Sequence, residues 1–460
     1  MNSARVGLSR LRPYLETDTM RILVGTGLNQ GAAEYQNIGD IAMLQVAVGR
    51  LAELWPEAEI LVLTDSEAGL NRFCPRAKPV SRCGAETWLL DGVITGPLHL
   101  WLPQWMTKHI RRTKRWLRTN TPGLINYLLR CRFRLHDGEA RGPKVESFMK
   151  AIRNCNLLVI AGCGGFADSC SDWNLYALGL IEAALGRGKP VALFGQGLGP
   201  LADIATLVRM AKLLPRVCVF ASRGTAGAER IAEKIGIPKS AFYTTGDDAV
   251  EPAYRASVTL LGSAIGVNVR IAPYSGISDD QGDRIGLALR AFAQTRGADL
   301  IPLPVAMHSF ADDRKSIARL LSPSATSIQV VESPEDLFAQ ISKCRVVVTG
   351  AYHAAVFALA QGIPTVCICG SDYYAAKFEG LQALFGKGCT LLYLHKQDSL
   401  SSLSDTLDKH WETAEAVKID LQNQALVQIN ASKGAYRALR ELFPVIKGAS
   451  SVDSAVLSIP

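Results

Sequence analysis

Leu157-Leu158-Val159-Ile160-Ala161-Gly162-Cys163-Gly164-Gly165-Phe166-Ala167-Asp168 and, further on, Pro190-Val191-Ala192-Leu193-Phe194-Gly195-Gln196-Gly197-Leu198-Gly199-Pro200 decide the fold. Each is a short apolar run that closes on glycines, and a helix-period segment over about 174–186 lies between them. Uninterrupted apolar strands are buried on both faces, the pattern of parallel sheets covered by helices. The two stretches therefore predict one βαβ unit, with strands over 157–161 and 190–194 and glycine turns over 162–168 and 195–200.

The same alternation extends in both directions. Upstream it predicts a strand over 21–24, a long loop over 25–39, a helix over 41–54 and a strand over 59–64. Downstream come a helix to about 214, a strand over 217–221 and a helix over 225–235 closed by Gly236. A fresh start follows at 264–269, with further strands over 300–304, 327–331, 345–348 and 364–368. Repeated βα units of this kind give an α/β fold of two Rossmann-like halves, residues 1–255 and 256–395. A helical tail over 401–442, within residues 396–460, can lie back on either half.

The chain has 460 residues, 48% of them apolar and 7% aromatic, enough for two or three domains with real cores, which excludes disorder as the whole answer. The net charge of +8 comes from one place. Between Gly92 and His136 there are nine basic residues and no acidic one, so the rest of the chain is close to neutral. Nucleic-acid binding over the whole surface is thereby disfavoured. Eleven cysteines, with no CxxC pair and several inside apolar runs, read as buried free thiols in a reducing compartment. The start of the chain lacks a signal-peptide layout, and no apolar run reaches membrane-spanning length, so a cytoplasmic protein is expected.

In open parallel sheets ligands collect beyond the carboxyl ends of strands, where helix N-termini present unpaired N–H groups. Four turns carry polar groups there. Asn37-Ile38-Gly39-Asp40 precedes a helix, with Asp40 either capping it or facing a ligand. The turns at Gly164-Gly165 with Asp168 and at Gln196-Gly197 let a backbone approach phosphate or sugar closely, although neither is a P-loop. His353, in Thr349-Gly350-Ala351-Tyr352-His353 before a helix over 354–361, is placed to meet an anion and exchange protons. The seven histidines are scattered, so no metal site is expected; Asp247-Asp248 fits a domain-ending turn as well as an ion site.

In order, Asn37-Ile38-Gly39-Asp40, Gly164-Gly165 with Asp168, Gly195-Gln196-Gly197-Leu198-Gly199-Pro200, Ser222-Arg223, Asp247-Asp248, and His353 with Phe357-Ala358 and Gly362-Ile363-Pro364 resemble the polysaccharide pyruvyl transferase family. The resemblance spans about residues 21–385. It implies two halves arranged as in GT-B glycosyltransferases, with phosphoenolpyruvate as co-substrate and no separate cofactor. The product would be a pyruvate ketal on a sugar of an exopolysaccharide or surface glycan. It further implies His353 as acid or base, and Asp40 and Asp168 as proton-transfer or sugar-positioning groups. Substrate contacts are expected from Asn37, Gly39, Gly164, Gly165, Gln196, Gly197, Arg223, Arg270 and Lys377. Two positions depart from the family pattern: Ala351 stands where an Arg is usual, and Gly227 where a Ser is usual. Arg223 or Arg270 would have to supply the lost guanidinium. A GT-B glycosyltransferase using a nucleotide sugar, or a catalytically silent glycan-binding member, remain the alternatives.

The basic residues lie in an insertion over about 92–142, interleaved with Trp101, Trp105, Trp116, Tyr127 and Phe133. Residues 101–136 fit three readings: helices packed on the domain with solvated charges, a peripheral contact with an anionic membrane carrying a lipid-linked acceptor, or a nucleic-acid surface without a known module.

Overall fold

A computed structural model of the chain describes residues 19–27, 35–90, 121, 141–270, 275–308, 311–321, 328, 330–394 and 401–443. The basic insertion, and with it residues 101–136 apart from Thr121, lies outside the described residues.

Eight strands form the first sheet: β1 (Arg21–Gly25), β2 (Glu59–Leu63), β3 (Ala77–Val80), β4 (Leu157–Ile160), β5 (Cys163–Phe166), β6 (Val191–Leu198), β7 (Val219–Ser222) and β8 (Phe242–Thr244). Their order is β3-β2-β1-β4-β6-β7-β8 with β5 beside β6, all parallel. The second sheet holds β9 (Ala264–Asn268), β10 (Leu300–Pro302), β11 (Cys344–Thr349), β12 (Thr365–Cys369) and β13 (Cys389–Tyr393). Its order is β10-β9-β11-β12-β13, again all parallel. Strands β4, β9 and β12 are buried at every position, as their unbroken apolar runs require.

Both sheets reverse direction once. The chain leaves β1 for β2 and β3 and crosses back to β4; it leaves β9 for β10 and crosses back to β11. At such a reversal the loops leaving the two central strands diverge and open a crevice at the carboxyl edge.

Two expectations need correction. Gly195-Gln196-Gly197 is strand, not turn, because β6 continues through it and pairs with β5, which itself lies in the expected turn over 162–168. Gln196 makes the continuation possible: its buried amide donates to the carbonyls of Ile160, Ala161 and Phe194, satisfying backbone groups where β4 stops. In the second half no strand forms at Val330 and Val331, and the fifth strand is β13, which periodicity did not single out.

Five helices matter for the site: α1 (Ile38–Leu54), α2 (Ser171–Leu185), α3 (Tyr352–Ala360), α4 (Asp372–Phe385) and α5 (Ser401–Glu441). All nine residues of α3 are buried, which explains a composition that is apolar on every face apart from its first turn. Residues of α5 reach both halves. Lys418 donates to the carbonyls of Val258 and Thr259, and Arg296 pairs with Asp408 and Glu412. Tyr436 stacks on Phe194 of β6 with ring centroids 3.7 Å apart.

The ten described cysteines are free thiols, six of them buried. Among the described residues, no helix is long and apolar enough to cross a membrane.

Candidate functional site

The two crevices face one another and merge into a cavity of about 590 Å³. From the first half it is lined by Gly27 after β1 and Cys163, Gly164 and Gly165 of β5; from the second, by Arg270 after β9 and Tyr352 and His353 after β11. Backbone bonds tie the halves together at this edge: Ile38 N–H donates to Val305, Met307 N–H to Gln36, and Ala226 N–H to Ala376.

Helix α1 begins three residues earlier than expected. Asn37 is its N-cap, the side chain accepting from the N–H groups of Gly39 and Asp40 at 3.1 and 3.4 Å. The capping role is therefore taken, and Asp40 turns into the cavity from the first helical turn. Gly39 is needed for a different reason. A Cβ there would stand 1.9 Å from His353 Nδ1, so the imidazole lies directly against the α1 backbone. Helix α3 likewise starts two residues early, placing His353 in its first turn, and Thr349 Oγ1 receives the N–H of Ala351.

His353 stands between two carboxyl groups whose surroundings push them apart. Burial raises the pKa of Asp40, and the charges of His353, Arg223 and Lys377 only partly offset this. Asp247 is also buried, but His353 and Arg223 beside it hold its pKa below the usual carboxylate value. Its Oδ2 lies 3.7 Å from His353 Nε2 and 3.2 Å from Arg223 Nη1. A carboxyl able to keep its proton and one fixed as an anion thus flank a single imidazole, an arrangement suited to moving protons.

The cationic wall consists of Arg223, Lys377 and Arg270. Arg223 is 2% exposed, lies 4.1 Å above the Tyr352 ring, and its Nε has no acceptor among the described residues. Burial opposes its charge, but Tyr352 and Asp247 more than restore it. Lys377 Nζ donates to Tyr373 Oη, whose own O–H donates to the carbonyl of Gly164. Burial, and Arg223 next to it, push the Lys377 ammonium down to about 7. Arg270 is already held by a buried carboxylate, with Nε and Nη2 at 2.7 and 2.8 Å from Asp313. Gly164 of β5 makes room for these cations: a Cβ there would lie 2.5 Å from Arg223 Nη2 and 2.9 Å from Lys377 Nζ.

The structure thus gathers Asn37, Asp40, Gly164, Gly165, Arg223, Arg270, His353 and Lys377 at one cavity, with Gly39 and Gly197 packed behind His353 and Arg223. Two expected residues fall elsewhere. Asp168 is exposed and accepts the N–H groups of Ala202 and Asp203, anchoring the loop before the helix Ile204–Leu213. Gln196 is wholly buried and spends its amide on three backbone carbonyls, as described above. The sequence also gave no reason to choose Tyr352, Tyr373 or Trp173. Tyr373 was findable, being one helical turn before Lys377 on α4. Asp247 and Asp248 turn to different partners, the first to His353 and the second to Arg50, and among the described residues no group of three or more metal-ligating side chains occurs.

Among solved structures, a Listeria monocytogenes protein described as a UDP-N-acetylglucosamine 2-epimerase superposes with a TM-score of 0.54 at 13% identity, covering 92% of this chain and 97% of that one. The UDP-GlcNAc 2-epimerase of Neisseria meningitidis, bound to UDP-GlcNAc, gives 0.50 at 12% identity, with 92% and 100% covered. The calicheamicin glycosyltransferase CalG4 gives 0.45 at 13% identity, with 93% and 98% covered. The first two likenesses concern the fold, an α/β architecture of two halves with parallel sheets. A search of curated proteins gives no match. The family model for polysaccharide pyruvyl transferase matches residues 37–369 and takes in Asn37, Asp40, Arg223, Asp247, Arg270 and His353; the chain belongs to the polysaccharide pyruvyl transferase family.

Proposed function

We propose that this cavity transfers the pyruvyl group of phosphoenolpyruvate to a pair of hydroxyls on a glycan sugar, forming a cyclic ketal and releasing inorganic phosphate. The observation that carries the reading is the convergence of Asp40 and His353 with the buried cations Arg223 and Lys377 in one cavity between the halves, with Asp247 behind His353 and Arg223.

The reaction needs a proton donor, a base and an anion cradle. Asp40, whose burial favours the protonated form, supplies a proton to the methylene carbon, leaving an oxocarbenium-like carbon at C2. The first sugar hydroxyl attacks that carbon and gives its proton to His353, whose positive charge Asp247 balances. Phosphate then leaves with the electrons of its C–O bond, taking the proton held by His353. The second hydroxyl adds to the resulting cation and its proton returns to the Asp40 carboxylate, closing the ring and restoring both groups. Arg223 and Lys377 hold the phosphate and carboxylate, and the first N–H groups of α3 add to the cradle. Arg223 is the substitute for the guanidinium missing at Ala351, since the charge of Arg270 is committed to Asp313.

Purified protein is expected to melt at higher temperature with phosphoenolpyruvate than without it, and to release phosphate when a suitable glycan is added. A native protein that shows no melting shift with phosphoenolpyruvate but does with nucleotide sugars would overturn the reading. The shift should also depend on pH. Lys377 is cationic below about pH 7 and neutral above it. Phosphoenolpyruvate binding is therefore expected to weaken as the pH rises through 7, beyond whatever change the ligand's own ionisation produces. The Lys377→Met variant isolates that part, because only the difference between the two titrations belongs to this ammonium.

Gly39→Ala gives a third expectation. The added methyl must displace the His353 ring, and a displacement near 1 Å in a reacting group costs on the order of 10²-fold in rate. Steady-state phosphate release by this variant should fall by about that factor, with phosphoenolpyruvate still raising the melting temperature.

A further inference from the structure

The cavity is larger than a three-carbon phosphoester requires, and its second part has a different chemistry. Strand β5 lines both parts. Gly164 faces Arg223 and Lys377, whereas a Cβ on the next residue, Gly165, would stand 1.9 Å from Cδ1 of Trp173. The indole of Trp173, in the first turn of α2, therefore lies flat against the strand and forms the wall on that side. Its Nε1–H is buried and has no acceptor among the described residues. Tyr176 stands one turn along α2, its ring centroid 5.7 Å from that of Trp173. Asp172 and Glu86 line the same part, and so does Arg82, which pairs with Glu86 at 2.8 Å and lies over the Tyr176 ring.

We propose that this wall is the subsite for the acceptor, and that it takes an uncharged hexose ring. This rests on the pyruvyl-transfer reading above. An indole face suits the C–H face of a pyranose, and carboxylates are the natural acceptors for ring hydroxyls. The buried indole N–H supplies a donor that a ring or hydroxyl oxygen satisfies. Glu86 is balanced by Arg82, so it is Asp172 that disfavours a uronic acid or a phosphorylated sugar, which would place a second negative charge beside it.

The test separates acceptor from donor. Trp173→Ala is expected to raise the KM for a neutral glycan acceptor about tenfold or more, the loss of one stacked ring, while the melting shift produced by phosphoenolpyruvate stays at the native value. Trp173→Phe should recover most of the affinity, and Asp172→Asn should narrow the preference for methyl glycosides of glucose, galactose and mannose over galacturonic acid. Acceptor KM unchanged in Trp173→Ala, or galacturonic acid accepted as well as the neutral sugars by the native protein, overturns the proposal. If the native protein does not respond to phosphoenolpyruvate, the failure belongs to the pyruvyl-transfer reading. The subsite is then judged by whether the neutral methyl glycosides change the native tryptophan fluorescence and whether Trp173→Phe abolishes that change: a change that Trp173→Phe abolishes supports it, and no change overturns it.

Discussion

His353→Ala is expected to lower kcat for phosphate release by about 10²- to 10⁴-fold, the usual worth of a positioned acid or base. Phosphoenolpyruvate should still raise the melting temperature, because Arg223 and Lys377 remain in place. Asp40→Asn should produce a loss of similar size, since it removes the carboxyl whose burial favours the protonated form and leaves the imidazole where it is. The two groups serve one proton path, so the double variant should be little worse than either single one. Kinetics at saturating donor and acceptor check all three. A His353→Ala enzyme within threefold of native would remove His353 from the chemistry and leave it as packing against Gly39.

Arg50→Met is expected to cost stability rather than rate. Arg50 is 6% exposed and holds three elements at once: Nη1 reaches Asp248 at 3.3 Å and the Ser432 hydroxyl, and Nη2 reaches Glu251 at 2.5 Å. Ser432 and Tyr436 of α5 both donate to Asp248. Removing the arginine leaves the buried Asp248 without its cation, while Glu251 keeps Arg255 and Lys433, a loss of about 3–5 kcal/mol. Chemical denaturation at neutral pH measures it. The sign of the pH dependence follows from Glu251, whose pKa is lowered in the folded protein: burial raises it, but hydrogen bonds from Arg50 and Lys433 outweigh that. The stability it contributes is present above its unfolded pKa and is lost as the pH falls through the folded one. The gap between native and Arg50→Met should therefore narrow in acid.

The sheets were legible because buried parallel strands leave unbroken apolar runs, as at Leu157–Ile160 and Thr365–Cys369. Periodicity could not reveal that β6 passes through Gly195-Gln196-Gly197, since glycines read as turns and only the Gln196 amide, bonded across strands, shows otherwise. At the site, position beyond a strand end pointed to Asp40 and His353, and both line the cavity. It misjudged Asp168, which lies at the same kind of place but points its carboxylate at the backbone of Ala202 and Asp203. Asp247 was hidden because neighbouring aspartates look alike in a sequence, while one meets the imidazole and the other a helix from the far end of the chain. Sequence order carries the identity of such residues but not the direction in which a side chain leaves the backbone.

The course of α5 also sets a timetable for synthesis. Arg50 and Asp248 leave the ribosome long before Ser432 and Tyr436, which cover them from behind. Until then the first half carries an open seam beneath β6, where Phe194 waits for its stacking partner. The amino-terminal half is thus the first to be made and the last to be finished. A nascent chain halted before residue 432 would carry Asp247, the carboxylate beside His353 and Arg223, next to an unsealed charge cluster.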